Sequence, residues 1–287
     1  MPELPEIEIV KRILFKTVNK AKIIDIKINN KNLRYKISNT FQRNLIGEKI
    51  LKVSRRSKYL LFHLKKKILL IHFGMTGKIL VMKNSNNKIY RTSFYYDLNI
   101  LKKHNHIYIK LNNGSVLVYN DVRRFGFFKI FKNLKSNKIA FLEKLGHEPF
   151  SKKFNSKYFL HFVKNKKKCI KSLLMDQRFV SGLGNIYVNE ALFAAKIQPL
   201  RSCNKLNKSE INDLISKIQK ILRLAILKGG SSIKNFQSAR GKSGSFQQFF
   251  NVYGQKNKDC SRISCKGKIK KIVISNRATF YCHLCQI

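Results

Sequence analysis

Apolar and polar positions alternate along this chain with two different periods. Near the start, Ile7, Val10, Ile13 and Leu14 recur at helical spacing and predict a helix from about Leu4 to Lys16. Pro5 suits its first turn, and glutamate is favoured near the positive end of the helix dipole. A helix start leaves Pro2, in the opening MPELPEIEIV, without a reason. Beyond it come β-branched and aromatic runs broken by short turns: KIIDIKI, KILKVSRRSKYLLFHL, KILLIHFGMTGKILVM, HIYIKL and SVLVYNDVRRFGFFKIF. Asn112-Asn113-Gly114 is a hairpin-turn signal between two of them. Several short strands after one helix suggest a sandwich or a barrel.

The period changes near LEKLGHEPF, and from there to about residue 228 the chain reads as helical. MDQRFVSGLGNIYVNEALFAA predicts a short helix, a turn at Gly182-Leu183-Gly184 and a second helix from about Asn185. Asn207-Lys208-Ser209-Glu210 leads into Ile211, Leu214, Ile215, Ile218, Ile221, Leu222 and Ala225, and Gly229-Gly230 ends that helix. Residues 231–247, small, polar and glycine-bearing, read as a loop.

Composition narrows the function. Over 287 residues, 60 Lys+Arg stand against 14 Asp+Glu, a formal net charge of +46. That excess favours a polyanion, nucleic acid before an acidic membrane surface. Lys, Asn and Ile are abundant throughout, so the positions of the basic residues carry no information alone. No apolar run reaches the length of a membrane span, and no signal-peptide pattern opens the sequence. A cytosolic protein is expected, in which six cysteines are not a disulfide framework.

Four of those cysteines sit in the last forty residues or so. Cys260, Cys265, Cys282 and Cys285 form C-x4-C-x16-C-x2-C, two close pairs able to converge as four thiolates on one tetrahedral Zn2+. The intervening KGKIKKIVISNRATFY reads as a short hairpin, hence a zinc ribbon or finger. With four protein ligands the zinc is structural, and no open position is left for catalysis. Cys169 and Cys203 stand apart as ordinary buried or half-buried thiols. Arg277 lies in the hairpin, placed either for a phosphate or simply for solvent. At Gly182-Leu183-Gly184 a helix N-terminus with free N–H groups is a ready phosphate site, and Asn185 either caps that helix or donates to a phosphate itself.

Taken together the motifs resemble formamidopyrimidine-DNA glycosylase, the bacterial family that excises oxidised purines. The resemblance runs almost end to end: MPELPE, SKYLLF, HFGMTG, DVRRFG, SGLGNIYVNEALF, GSFQQFFNVYG and RATFYCHLCQ, in that order. It implies an α+β fold: an N-terminal β-sandwich with a catalytic N-terminal helix over 1–145, a helix–two-turn–helix domain over 150–250 with a lesion-recognition loop, and a zinc finger over 251–287. It implies removal of Met1 and attack by the Pro2 amine on C1′ of the damaged nucleotide. The chemistry is sound independently. An α-amino group titrates at roughly 8 against about 10.4 for lysine, so more of it is nucleophilic at neutral pH. A secondary amine condensing with a sugar aldehyde gives an iminium, cationic without a proton, which draws electrons from the sugar. Loss of the 3′ and then the 5′ phosphate follows, so base excision is joined to strand cleavage.

The resemblance further casts Glu3 as general acid/base on the sugar ring oxygen, Glu6 as the holder of the N-terminal turn, and Lys58 as a phosphate grip. A base excised from a duplex must leave the stack. Met75, Arg123 and Phe125 match the residues that fill the hole, an apolar wedge and an arginine facing the orphaned cytosine. Singly, Met75 and Phe125 would be ordinary core residues; flanking Gly74 and Gly126 argue for exposed loop tips. His104, Arg123, Asn185, Tyr253 and Arg277 match DNA contacts, with His106 a structural alternative to His104. The partner implied is double-stranded DNA with damaged bases, bound by a cytoplasmic, nucleoid-associated monomer.

Two features depart from the family pattern. Its first zinc knuckle has C-x2-C, whereas Ser261-Arg262-Ile263-Ser264 separate the pair here, so a distorted knuckle is expected. The lid loop, acidic before its glycine in the family, reads SARGKSGSFQ, which bears on lesion preference and not on the chemistry. Two other readings compete. An endonuclease VIII-like glycosylase for oxidised pyrimidines shares the proline chemistry, but Leu4 and the full Met75–Arg123–Phe125 set favour the purine enzyme. A non-catalytic nucleic-acid-binding zinc protein explains the charge and cysteines but not Pro2–Glu3 with Lys58.

Overall fold

Helix α1 spans Leu4–Val18 in the computed structural model, which describes residues 1–83, 88–91, 101–132, 138–231 and 246–287. Leu4, Ile7, Val10, Leu14 and Val18 form its buried stripe. That stripe explains why the helix outlasts the expected end at Lys16: Val18, four residues after Leu14, still faces the core. Ile13 was expected in the stripe but sits beside it and is exposed.

The chain divides into two units, Met1–Glu143 with Gly229–Gly244, and Lys144–Lys228 with Ser245–Ile287. In the first, α1 is followed by β1 (Ile23–Ile28), α2 (Phe41–Leu45), β2 (Lys52–Arg56), β3 (Tyr59–His63), β4 (Lys67–His72), β5 (Lys78–Lys83), β6 (Lys88–Arg91), β7 (Asn105–Leu111), β8 (Ser115–Asn120), β9 (Phe127–Lys132) and a one-turn α3 (Ala140–Glu143). They make two antiparallel sheets, ordered β1-β7-β8-β5-β6 and β2-β3-β4-β9. Residues two apart share a face. Leu60, Phe62, Leu69, Ile71 and Phe128 of one sheet therefore meet Ile79, Val81, Ile107, Ile109 and Leu117 of the other, with Ile7, Val10 and Leu14 of α1, in one core. Each such side chain contributes about 1.5–3 kcal/mol by leaving water. The first half is thus a sandwich, and Asn112-Asn113-Gly114 does link β7 to β8, with Gly114 at φ +76°.

The second unit carries α4 (Ser156–Val163), α5 (Ile170–Met175), α6 (Asn185–Ala194), α7 (Lys208–Leu227) and the hairpin β10 (Ile269–Ile274)–β11 (Arg277–Cys282). Asn207 and Glu210 close a capping box on α7, and Gly229 and Gly230 leave it at φ +79° and +80°. The expected helix beginning at Met175 is corrected: that residue ends α5, and Asp176–Val180 is a turn. Asp176 is the cause, since its carbonyl accepts from Phe179 N and its carboxylate from Arg178 N and guanidinium. Gln177 then spans the second turn, donating to Leu183 O and accepting from Gly182 N.

The grouping of segments differs from the partition 1–145, 150–250, 251–287. Ser231 belongs with the sandwich because its N–H and hydroxyl both donate to Glu6. The hairpin belongs with the helices because α5 and α6 are both stitched to β11: Asn189 of α6 accepts from Phe280 N (2.7 Å), and Lys171 Nζ of α5 donates to Ala278 O (3.0 Å). The lid loop lies, but for its ends, outside the described residues.

Candidate active site and zinc ribbon

The N-terminal end of α1 is built from buried polar groups. Pro2 is buried, and Glu3 is 4% exposed. Glu6, 2% exposed, accepts from Glu3 N at 2.9 Å and, through its other oxygen, from Ser231 N and Oγ at 3.0 Å. The opening turn is therefore held by Glu6 on both sides, and Glu3 is the N-cap.

Lys58 sits with Ser57 in the two-residue turn joining β2 to β3, where Arg56 pairs with Tyr59. It is only 6% exposed, rare for a lysine, and so is not an ordinary solvated surface cation. Ser57 occupies φ +55°, strained backbone for a residue with a side chain. Arg55 braces it: Nη1 donates to Ser57 O (3.0 Å) while Nε pairs with Glu8 Oε2 (3.1 Å). Glu8 belongs to α1, so one arginine ties the helix that follows Pro2 and Glu3 to the turn carrying Lys58. Burial alone would raise the Glu8 carboxyl, but Lys11, Arg12 and Arg55 outweigh it and hold it below its ordinary value.

His72, at the end of β4, pairs with Tyr59 in the sheet register and stacks on Phe127 with ring centroids 5.3 Å apart. Its Nδ1 accepts from Gly74 N (3.2 Å), which leaves the proton on Nε2. Burial first, then the Lys58 ammonium, Arg34 and the N-terminal charge, push its pKa down to about 4. His72 is thus a neutral donor, close enough to Lys58 and the N-terminal charge to be held uncharged by its burial and by them. Sequence reasoning did not single it out, although it opens the quoted HFGMTG.

Met75 is half-buried, Arg123 is exposed and Phe125 is 45% exposed. Arg123 lies over the Phe125 ring, Cζ 4.4 Å from its centroid, and its N–H donates to Thr76 Oγ1 (3.0 Å). Neither Met75 nor Phe125 joins the sandwich core, in line with the expected loop tips, although Gly74 and Gly126 beside them are themselves buried. A Cβ on Gly74 would fall inside the Phe125 backbone, and one on Gly126 would meet the Tyr119 hydroxyl. These glycines let two loops cross. His106 is 3% exposed and bonded to Asp121 O (2.7 Å), whereas His104 is half-exposed on the one-turn helix Lys102–His104; of the two, His104 is the reachable one.

In the second unit the N-cap of α6 is Gly184, so Asn185 does not cap it. Its amide donates to Ala278 O (2.9 Å), one residue from exposed Arg277 at the start of β11. Tyr253 packs its ring on Phe250 and Phe280. Its N–H donates to Glu190 (2.8 Å), which also accepts from Asn251 N and Val252 N. Burial raises the Glu190 pKa against those hydrogen bonds. Glu190 is a helix residue inside a quoted motif, and nothing in its spacing announced this anchoring task.

Cys260, Cys265, Cys282 and Cys285 place their sulfurs all within 4.8 Å of one another, while Cys169 is half-buried and Cys203 buried elsewhere. Two cross-knuckle pairs stand at 3.8 Å (Cys260–Cys285) and 3.6 Å (Cys265–Cys282). A tetrahedron with Zn–S of about 2.3 Å has edges near ~3.8 Å, so the donor set fits zinc. Burial would raise the Cys282 thiol, but N–H groups of Cys285 and Leu284 outweigh it and bring it to about 7, toward the thiolate a metal needs. The two extra knuckle residues are absorbed without parting the sulfurs. Ile263 turns out to solvent, and Arg262 turns in, donating to Phe193 O (2.6 Å) and Ala194 O (3.2 Å) at the end of α6.

The comparisons with known proteins meet this geometry. Residues 1–128 match the family model of the formamidopyrimidine-DNA glycosylase N-terminal domain, and residues 145–237 that of its H2TH domain. A formamidopyrimidine-DNA glycosylase of Bartonella tribocorum is 41% identical, covering 100% of both chains. A mutant of the Lactococcus lactis FPG, in complex with a Fapy-dG containing DNA, superposes with a TM-score of 0.85 at 35% identity, covering 99% of each chain. The same organism's Fpg with an abasic site containing DNA gives 0.83 at 35% identity and the same coverage. The chain belongs to the formamidopyrimidine-DNA glycosylase family.

Proposed function

We propose that this protein is a bifunctional DNA glycosylase and AP lyase of base excision repair, acting on oxidised purines such as 8-oxoguanine and formamidopyrimidines in duplex DNA. The observation that carries this reading is the buried turn at the start of α1, where Glu6 holds Glu3 N beside buried Pro2, together with Lys58 and the N-terminal charge acting on neutral His72. After Met1 is removed, the Pro2 nitrogen attacks C1′, and the bond from C1′ to the base breaks with its electron pair leaving on the base. Glu3 protonates the ring oxygen as the sugar opens, giving an iminium between Pro2 and C1′. The iminium draws electrons as the C2′ proton leaves, and the 3′ phosphate departs; the 5′ phosphate follows by the same logic. Lys58 holds a phosphate beside the lesion as a cation, and His72 Nε2–H offers a neutral donor there.

Met75, Arg123 and Phe125 enter the space left by the flipped base, with Arg123 toward the orphaned base. His104 supports the backbone in the first unit, and Asn185, Tyr253 and Arg277 in the second. The single Zn2+, held by Cys260, Cys265, Cys282 and Cys285, supplies structure and no chemistry of the reaction. Among the described residues no helix is long and apolar enough to cross a membrane. We place the protein in the cytoplasm, with the chromosome it repairs.

Borohydride trapping tests the reading. With a duplex carrying 8-oxoguanine opposite cytosine, the cross-linked peptide is expected to map to Pro2. A cross-link formed only with oxidised pyrimidines moves the protein to the endonuclease VIII-like activity. Binding with no cross-link to any lesion leaves a nucleic-acid-binding zinc protein and ends the catalytic reading.

A further inference from the structure

Asp121 is fully buried at 0% exposure, and nothing in the chemistry above uses it. Its Oδ1 accepts from Thr76 Oγ1 at 2.5 Å. Its Oδ2 accepts from the Tyr119 hydroxyl (3.0 Å) and from Gly126 N (2.9 Å). Its backbone carbonyl meets His106 Nε2, and its N–H donates to His104 O (3.1 Å). Thr76 uses the same hydroxyl oxygen to accept from Arg123 N.

These contacts join three segments. Thr76 neighbours Met75, Gly126 neighbours Phe125, and Arg123 hangs directly on Thr76. The glycines complete the fit. A Cβ on Gly77 or Gly126 would collide with the Tyr119 hydroxyl, and one on Gly74 with the Phe125 backbone. Two glycines thus make room for the hydroxyl that reaches Asp121, and a third lets the loops touch.

We propose that Asp121 and Thr76 are positioning residues that lock Met75, Arg123 and Phe125 into one preformed wedge, so that base eversion needs no loop ordering on encounter with DNA. The proposal rests on the glycosylase reading above and deepens it. Preformed geometry matters because side chains that must order on binding subtract that entropy from affinity. A displacement near ~1 Å is enough to slow a reaction substantially.

The wedge is needed most when a stacked base must leave the helix and least when the base is already gone. Thr76→Val removes the hydroxyl from both Asp121 and Arg123 while keeping the shape. Single-turnover excision of 8-oxoguanine opposite cytosine is expected to fall roughly 10- to 100-fold in this variant. Cleavage at a preformed abasic site, with the same enzyme preparation, is expected to stay within about 3-fold of the unsubstituted protein. Thr76→Ser, which restores the hydroxyl, is expected to recover most of the excision. A 2-aminopurine beside the lesion reports eversion directly, and its slow fluorescence rise in Thr76→Val should match the lost excision rate.

Unchanged excision in Thr76→Val overturns the proposal. An equal loss of both activities that Thr76→Ser does not recover also overturns it, by showing general damage to the sandwich. An unsubstituted protein that acts on neither substrate refutes the glycosylase reading itself, a different failure from either of these. Asp121→Asn serves as a second variant: its amide presents a donor to Gly126 N–H or Thr76, and it should show the same split between the two substrates.

Discussion

His72 holds one proton over the whole physiological range, and that has a consequence for stability. Its pKa is about 4 in the folded chain, against 6.5 for an unperturbed imidazole. Between those values the unfolded chain binds a proton that the folded chain does not. Stability from this residue is therefore complete above pH 6.5 and is lost as the pH falls toward 4, on the order of 3 kcal/mol in total. Urea unfolding at pH 7 and pH 5 is expected to show this slope in the natural sequence and a shallower one in His72→Asn. Equal slopes in the two proteins would show that His72 protonates freely when folded. The same depression keeps Nε2 a neutral donor, so strand cleavage should have no titration near pH 6.5 arising from this ring.

At the scale of elements, the β2–β3 turn and α1 act as one piece through Arg55. Arg55→Ala leaves Glu8 buried with Lys11 and Arg12 only, and releases the carbonyl of strained Ser57. A loss of about 1–2 kcal/mol in folding stability is expected from the broken hydrogen bonds. Strand cleavage should fall further, roughly 10- to 100-fold, because Lys58 moves relative to Pro2. Arg55→Lys restores a charge but cannot reach Glu8 and Ser57 at once, so it should recover stability more than rate. A rate loss that merely tracks the stability loss would refute the bracing role.

This element also shows what a sequence discloses. The strands of the sandwich, α1, α7 and the hairpin turn at Asn112–Gly114 were legible, because period and turn chemistry are local signals. The cysteine set was legible for the same reason, since two close pairs state their own geometry. Arg55, Glu190 and Asp121 were not, because each acts on partners distant in sequence or crossing from another segment. In a chain with dozens of cations, one more arginine carries no mark of its partner. The helix expected at Met175 failed for a related reason: Asp176 competes for its neighbours' N–H groups with its own carboxylate, and an apolar period does not show that.

For the whole molecule, the zinc ribbon is the joint to test. Cys260 and Cys282 share a small core with Phe193, Val252, Ile269 and Phe280, so the metal centre is continuous with the end of α6. Chelation is expected to lower the midpoint of thermal unfolding and to expose the 251–282 backbone to proteolysis, while the sandwich keeps its own protection. Cys265→Ala should reproduce the effect without chelator. Unchanged protection of Tyr253 and its neighbours after zinc removal would show that Glu190 holds that segment unaided. The net charge of +46 makes a polyanion welcome over much of the surface, but it selects no lesion.

The four-residue first knuckle does more than space two cysteines. Arg262 occupies one of its inserted positions, closes the carbonyl end of α6 and lies with Cζ 4.7 Å from the centroid of the Phe193 ring. Trimming the loop back to the shorter spacing would keep four sulfurs for the metal yet unseat a helix terminus. The four-residue knuckle thus serves two masters, the metal's donor set and the last turn of α6, and its length cannot be changed for one without disturbing the other.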